Sequence, residues 1–167
     1  MFKGYAKNIR KWAGDRKIIP NSNLEAQNIK LAEEFGELAL GIRKSDDDLI
    51  IDSIGDIFVV VTIMAGLENV NIEDMELLQN EYYEDKDNLK NAFMWLQSDI
   101  GDIGKSIIRD NKIKRMSSYA NVVNDLNAFC NYLEIDIIEC IGKAWNEIKD
   151  RKGFLSADGI FIKEEDL

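Results

Sequence analysis

Apolar residues recur along most of this chain at spacings of three and four, which is the pattern of amphipathic α-helices. A long helix is predicted from about residue 24 to residue 44, with apolar positions at Ile29, Leu31, Phe35, Leu38 and Ile42. The next segment, from about Asp46 to Leu67, carries so wide an apolar face that we expect it to be the central helix of a bundle. Because β-branched runs are short and Pro20 is the only proline, the sequence predicts an all-α fold.

Other elements are predicted on either side of this central pair. Further helices are expected at about residues 3–14, 73–90, 91–110, 117–133 and 135–151, with a loop over residues 15–23. Ser22 or Asn23 is expected to cap the helix that begins near residue 24, because a short polar side chain can accept a hydrogen bond from a free N–H group. Near the end of the chain, Asp158-Gly159 separates two apolar pairs, which predicts a small hairpin or turn.

The chain contains a weak internal repeat. Residues 31–38 and 96–103 share one order of apolar, acidic and glycine positions. We therefore predict a single domain over residues 1–167, built as a helical bundle of two related helical hairpins. The first repeat covers about residues 24–72, and the degenerate second repeat covers about residues 90–137.

The amino-acid composition excludes several kinds of catalytic chemistry and binding partner. The formal net charge is -10, and histidine is absent from the sequence, which excludes triads and zinc catalysis built on histidine. Binding to a nucleic-acid duplex is not expected, because it depends on a basic surface. We expect no membrane association, since no apolar run approaches the roughly 20 residues of a membrane span. Two cysteines make no disulfide framework, so the expected compartment is a reduced cytoplasm.

The strongest candidate for a functional site is a set of acidic side chains on the two central helices. Glu34 and Glu37 are three residues apart and share a helix face, as do Asp52 and Asp56, which are four apart. Carboxylates that converge repel one another unless a cation lies between them, and their hard oxygen atoms suit Mg²⁺. The other interpretation is an ordinary solvated helix face. A lone Asp56 in so apolar a helix argues against that interpretation, because burying a charge without a partner is costly.

Other residues are candidates for contacts with a substrate. Lys149, Arg151 and Lys152 lie at a helix C-terminus, where they either clamp phosphate oxygens or only complement the helix dipole. Trp12 is either a core residue or a platform for base stacking. The remaining candidates for substrate contact are Gln27, Lys30, Arg16 and Asn146.

Three features have alternative structural explanations. Gly36 and Gly55 lie in the middle of predicted helices, where they allow either close helix packing or the close approach of a ligand. Asp99 and Asp102 of the second repeat could form a second metal site. We favour a structural role for them, because their predicted partner helix offers a poorer set of ligands.

Several segments taken together resemble the MazG-like branch of the all-α nucleoside triphosphate pyrophosphohydrolases, particularly its short phage-type members. The resemblance covers residues 12–19, Gln27, and residues 30–38, 51–60 and 146–163. It implies Mg²⁺-dependent cleavage between the α and β phosphates of a nucleoside triphosphate, with Mn²⁺ as a substitute metal. The long segment that precedes the last block contains the weak repeat, so the chain is similar to tandem forms of the superfamily. Related proteins share active sites between subunits, which implies a homodimer or higher homo-oligomer.

The family pattern is an ExxE pair followed by an ExxD pair. Glu34 and Glu37 match the first pair, and Asp56 matches the end of the second. Ser53 stands where the family has the second glutamate, so either Asp52 or Glu33 is expected to supply the missing carboxylate. The resemblance thus implies metal ligation by Glu34, Glu37, Asp56 and Asp52, with Glu33 or Glu37 accepting a proton from the attacking water.

The expected function is hydrolysis of (d)NTPs to the monophosphate and pyrophosphate. Two alternatives remain open from the sequence. The departure at Ser53 favours a protein that binds nucleotides without hydrolysing them. A helical interaction module, whose acidic cluster is only surface, is the other alternative.

Overall fold

The computed structural model describes residues 2–74, 89–159 and 161–164, and this part of the chain is predominantly helical. The all-α class predicted from the sequence is therefore confirmed. Seven α-helices are described: α1 (Phe2–Asp15), α2 (Ile18–Asn21), α3 (Leu24–Lys44), α4 (Asp47–Leu67), α5 (Leu89–Ile108), α6 (Lys112–Tyr132) and α7 (Ile137–Ile148). A 3₁₀ turn (Ile72–Asp74) and two strands, β1 (Gly153–Leu155) and β2 (Phe161–Lys163), complete the described elements.

Most predicted helices agree with the observed ones. The side chain of Asn23 caps α3, as predicted, by accepting a hydrogen bond from the backbone N–H of Ala26. The predicted loop over residues 15–23 is wrong in part, because it contains the short helix α2. Helix α6 begins five residues earlier than predicted, since Asn111 caps it by accepting from the N–H of Lys114. Most of the helix predicted at 73–90 lies outside the described residues.

Helix α4 is the centre of the core. It packs against α3 on one side and α7 on another, and its buried side chains occur on every face along its second half. Gly55 permits the contact with α7, because a Cβ there would lie 2.4 Å from the carbonyl oxygen of Cys140 and 2.8 Å from the Cβ of Ala144. Close helix packing at Gly55 is therefore confirmed. Close helix packing at Gly36 is wrong, since that residue is exposed and no described atom beyond its own stretch of helix would lie within 4 Å of its Cβ.

Helix α4 also has the length and composition of a membrane-spanning helix, contrary to the expectation from the sequence. Its 21 residues have a mean hydropathy of 2.0 in the most apolar window. Of that window, 78% is buried inside the molecule, and the core helix of a soluble protein has the same properties. Among the described residues, no other helix has this length and hydropathy.

A second helix pair packs beside the first. Helices α5 and α6 pack against each other, and the ring of Phe93 on α5 stacks on Phe35 of α3 with 4.8 Å between the centroids. Helix α6 is fixed to the end of α4 through a buried polar cluster. Arg115 donates two hydrogen bonds to the carboxylate of Glu68, at 3.0 and 2.7 Å, and the hydroxyl of Tyr119 donates a third at 2.8 Å.

The C-terminal hairpin that the sequence predicts is present. Strands β1 and β2 are antiparallel, with Gly153 opposite Lys163. The hairpin turn is held against the start of α3, because the hydroxyl of Ser22 donates a 2.7 Å hydrogen bond to the carbonyl of Gly159. The side chain of Gln27 donates in turn to the hydroxyl of Ser22 at 3.0 Å. These contacts bring the end of the chain against the central helices.

Candidate functional site

A cavity of about 500 Å³ lies where α1, α3, α4, α7 and the C-terminal hairpin meet. Ten of its described lining residues are charged or polar, and we call them together the charged side: Gln27, Lys30, Glu33, Glu34, Glu37, Asp52, Asp56, Glu147, Arg151 and Lys163. The other described lining residues are apolar, and we call them together the apolar wall: Trp12, Ile18, Ala26, Val59, Val60, Ile63, Ile148 and Phe161. The structure therefore brings together all five carboxylates that the sequence singled out on α3 and α4.

The charged side of the cavity begins on α3. Glu34 is 3% exposed, and the ammonium group of Lys30 lies 2.7 Å from its Oε1 atom. The same ammonium lies 3.0 Å from Glu33, one residue earlier on the helix. Burial raises the pKa of Glu34 above its usual value, although the hydrogen bond and the charge of Lys30 act in the opposite direction. Glu34 is thus a buried carboxyl that depends on Lys30 for its neutralisation.

Helix α4 supplies Asp52 and Asp56 from successive turns. Burial raises the pKa of Asp56 to about 7, and the negative charges of Glu34, Asp52 and Glu147 contribute to the same shift. The Oδ1 atom of Asp52 is buried without a hydrogen-bond partner, and the nearest described cation is the ammonium of Lys143, at 3.6 Å. Asp52 is therefore paired with Lys143, which is not among the described lining residues, whereas Asp56 lies among carboxylates that favour its protonated form.

Ser53 does not contribute to this cluster. It is 1% exposed, and its hydroxyl donates a 2.7 Å hydrogen bond to the carbonyl of Leu49 within the same helix. The side chain that replaces the expected glutamate is therefore occupied by its own helix. Asp52 and Glu33, the two substitutes proposed from the sequence, both line the cavity.

The donor atoms of the cavity fit a hard divalent cation such as Mg²⁺. The ligands would come from Glu34, Glu37, Asp52 and Asp56, whose carboxylate oxygens are the hard donors that Mg²⁺ prefers. In residues 2–74, 89–159 and 161–164, no three acidic or cysteine side chains are already arranged as a metal-ligand set. Ligation by these carboxylates therefore requires side-chain rearrangement, including a change in the ion pair between Lys30 and Glu34.

The structure separates the predicted substrate contacts into two groups. Trp12, Gln27, Lys30 and Arg151 line the cavity. The remaining residues are not among its described lining residues: Arg16, Asn146, Lys149 and Lys152. Only one of the three cations predicted as a phosphate clamp thus reaches the acidic cluster.

Arg16 has a structural contact instead. Its guanidinium group donates to the backbone carbonyls of Arg151, at 2.6 Å, and Lys149, at 3.4 Å, just beyond the end of α7. The same group lies over the ring of Trp12, 5.3 Å from its centroid. The ammonium of Lys149 is held by the side-chain oxygen of Asn146 at 2.8 Å. Arg16 therefore stabilises the chain segment that carries Arg151 rather than facing the cavity itself.

Two charged residues among the described lining of the cavity were missed in the sequence. Glu147 precedes Arg151 by four residues, so the helix period around Arg151 was a signal that could have identified it. Lys163 reaches the cavity because β2 folds back beside α1, where the ring of Phe161 meets Trp12 edge to face at 5.9 Å. The sequence contains no local signal for that long-range contact.

The acidic residues of the second repeat have partners on α6. Asp99 accepts a hydrogen bond from the side chain of Asn121 at 3.2 Å, and Asp102 pairs with Lys114 at 2.7 Å. The hydrogen bond and the charge of Lys114 lower the pKa of Asp102. These contacts agree with the structural role expected for the two aspartates.

Comparison with known proteins adds a phage relative of unknown function. The "Uncharacterized 18.2 kDa protein in rep-hol intergenic region" of Haemophilus phage HP1 (strain HP1c1) is 49% identical over 65 residues. The similarity covers 39% of this chain, which spans about 40% of the length of that relative. No protein-family model matches the chain, and no solved structure matches it. The chain is thus similar over part of its length to a phage protein.

Proposed function

We propose that this protein is an Mg²⁺-dependent nucleotide pyrophosphohydrolase that converts (d)NTPs to the monophosphate and pyrophosphate. One observation carries the proposal: a single cavity combines a carboxylate cluster with an apolar wall and three cationic side chains. A nucleoside triphosphate has the matching chemistry, because it joins an apolar, flat base to a strongly anionic chain that binds divalent cations. The sequence resemblance to MazG-like enzymes supports the same reaction.

The charged side of the cavity provides the groups that the reaction needs. Glu34, Glu37, Asp52 and Asp56 would hold the metal, which when bound would neutralise phosphate charge and lower the pKa of the attacking water. Glu33, which is more exposed than Glu34, or Glu37 would accept the proton from that water. The positive charge of Arg151 and Lys163 would stabilise the leaving pyrophosphate.

The apolar wall supports a nucleotide over a bare polyphosphate. Trp12 and Phe161 meet at its edge, and Val59, Val60 and Ile63 continue it along α4. Such a surface favours a flat, apolar group because it removes that group from water without requiring matched hydrogen bonds. We expect the base to pack here and the phosphate chain to extend toward the carboxylates.

The packing of α3 on α4 and of α5 on α6 supports the two-hairpin, MazG-like arrangement that the repeat suggests. Within that arrangement, the carboxylates of the first hairpin line the cavity, whereas Asp99 and Asp102 of the second are paired with α6. We expect the active form to be a cytoplasmic homodimer or higher homo-oligomer.

A nucleotide-binding protein that does not hydrolyse its ligand is the second candidate. The observation that favours it is the position of Ser53, whose hydroxyl is bonded within α4 and supplies no carboxylate to the cavity. The two functions would share the binding site and differ in whether the attacking water is activated.

Release of pyrophosphate from a panel of (d)NTPs, with and without Mg²⁺, separates the two candidates. We expect Mg²⁺-dependent release with at least one nucleotide, and a loss on the order of 100-fold in the variants Glu34→Gln and Asp56→Asn. Glu25→Gln is the matched control, because Glu25 is an exposed residue of α3 that does not line the cavity. Saturable nucleotide binding without release across the panel would establish the sequestering function instead.

A further inference from the structure

Lys30 already occupies the position of a cation in the carboxylate cluster. Its ammonium group contacts two carboxylates, at 2.7 Å for Glu34 and 3.0 Å for Glu33. The three residues lie within two turns of α3, so the contacts need no other element to hold them. The side chain is 48% exposed, and it can therefore leave the carboxylates without opening the core.

The ion pair between Lys30 and Glu34 matters because the cavity has an excess of negative charge. Among the described residues, six acidic side chains line the cavity against three basic ones. Burial lowers the pKa of Lys30, but the hydrogen bonds and charges of Glu34 and Glu33 outweigh that effect and raise it, so the ammonium remains charged. Glu34 is the most buried of the charged groups in these two ion pairs. Its pairing with Lys30 is consequently the contact that a metal ion would have to replace.

We propose that Lys30 is an internal counter-cation, which competes with the metal for Glu34 in the free protein and moves to the phosphate chain when nucleotide binds. This inference rests on the proposed function, and it makes Lys30 a positioning residue. A divalent cation on Glu34 repels an ammonium held 2.7 Å from the same carboxylate. Phosphate oxygens offer the ammonium a new partner in the same cavity, so nucleotide and metal would each favour the binding of the other.

Two binding measurements test the proposal without turnover. The variant Lys30→Met keeps an unbranched, apolar side chain of similar length and removes the charge. In the nucleotide-free protein, we expect it to bind Mn²⁺ about tenfold more tightly, because a positive charge within several ångströms of the metal is gone. Without metal, we expect it to bind an α,β-methylene triphosphate analogue more weakly, because one phosphate partner is lost.

Control variants separate the role of the charge from general effects. Lys30→Arg keeps the charge and should leave Mn²⁺ affinity near that of the unmodified protein. Lys11→Met removes the same charge from an exposed pair with Asp15 on α1, outside the cavity, and should change neither measurement. Glu34→Gln combined with Lys30→Met should abolish the gain in Mn²⁺ affinity, which would assign that gain to this site.

The outcomes also separate this inference from the proposed function. If Lys30→Met binds Mn²⁺ no more tightly than the unmodified protein does, the inference is overturned. The proposed reaction survives that result if pyrophosphate is released. Tighter Mn²⁺ binding without any pyrophosphate release supports the inference and overturns the proposed reaction. Absence of Mn²⁺ binding in both proteins overturns both.

Discussion

The fold strongly alters the ionisation of Asp56. Burial and three neighbouring carboxylates raise its pKa to about 7, compared with about 3.9 for an aspartate in an unfolded chain. Between these two values the folded protein holds a proton that the unfolded protein has lost. The metal-free protein therefore loses stability as pH rises from about 4 to about 7, because the carboxyl group must ionise in a buried, negatively charged cavity.

Replacing Asp56 with asparagine tests this effect in the metal-free protein. We expect Asp56→Asn to be more stable than the unmodified protein at pH 8 by on the order of 2 kcal/mol, and to lose most of that advantage at pH 5. Urea unfolding in the presence of a chelator at both pH values measures the difference. A difference that is independent of pH would contradict the raised pKa.

Asp56 and its neighbours on α4 show which features of single residues could be predicted from the sequence. An aspartate inside an apolar helix was recognisable as costly, and the helix period correctly placed Asp52 on its face. The orientation of Ser53 was not recognisable, because a serine in a helix can face either a cavity or its own backbone. The bond from Ser53 to Leu49 resolves that choice only in the folded structure.

At the scale of elements, the contact between α4 and α7 fixes the width of the cavity. Gly55 lies against the backbone of Cys140, and α7 also carries Glu147 into the cavity. A methyl group at Gly55 would meet the carbonyl oxygen at 2.4 Å, and a backbone atom cannot move aside as a flexible side chain can. The two helices would have to separate.

We therefore expect Gly55→Ala to destabilise the protein by about 2 kcal/mol, the usual cost of overpacking a core. Gly36→Ala is the matched control in the neighbouring helix, because no described atom lies within 4 Å of the added group. It should stabilise the protein by up to about 1 kcal/mol through helix propensity alone. Thermal unfolding of both variants measures the contrast, and equal shifts in the same direction would refute it.

Element boundaries were predictable where a cap and a hydrophobic period coincide. Helix α3 has both, and its observed limits, Leu24–Lys44, are the predicted ones. Helix α6 has only a weak apolar period, so its start was placed too late, beyond the capping residue Asn111. Its buried face includes polar side chains such as Arg115 and Asn124, which are hydrophilic by sequence but have partners in the fold.

At the scale of the whole molecule, the Glu68 cluster joins the two helix pairs. Glu68 follows α4 and belongs to the first pair, whereas Arg115 and Tyr119 belong to α6 in the second. The side chains of Glu68 and Arg115 are 9% and 4% exposed. Burial tends to raise the pKa of Glu68, but the hydrogen bonds from Arg115 and Tyr119 outweigh burial and lower it.

Glu68→Gln should destabilise the protein by about 3 kcal/mol at pH 7, because it leaves the buried charge of Arg115 with the exposed carboxylate of Asp110, 3.9 Å away, as its remaining described counter-ion. The pKa of Glu68 is lower in the folded state, so its contribution is complete above the unfolded value of about 4.3 and is lost as pH falls through the folded value. Urea unfolding at pH 7 and pH 3 should show the difference between the two proteins shrinking at low pH. Tyr119→Phe is the control and should cost about 1 kcal/mol at pH 7, the value of one hydrogen bond. A cost for Glu68→Gln that persists at pH 3 would refute the ionic explanation.

The hydrogen bond between Ser22 and Gly159 has a consequence for the order in which parts of the cavity form during folding. The two residues are 137 positions apart, and Arg16 reaches the carbonyl of Arg151 across a separation of 135. During synthesis, α3 and α4 can pair as soon as both have left the ribosome, whereas Arg151, Phe161 and Lys163 follow only after α5, α6 and α7. The carboxylates of α3 and α4 therefore exist before Arg151, Phe161 and Lys163 complete the cavity. A nascent chain would carry the carboxylates exposed to solvent, and the complete pocket would form only when the tail folds back.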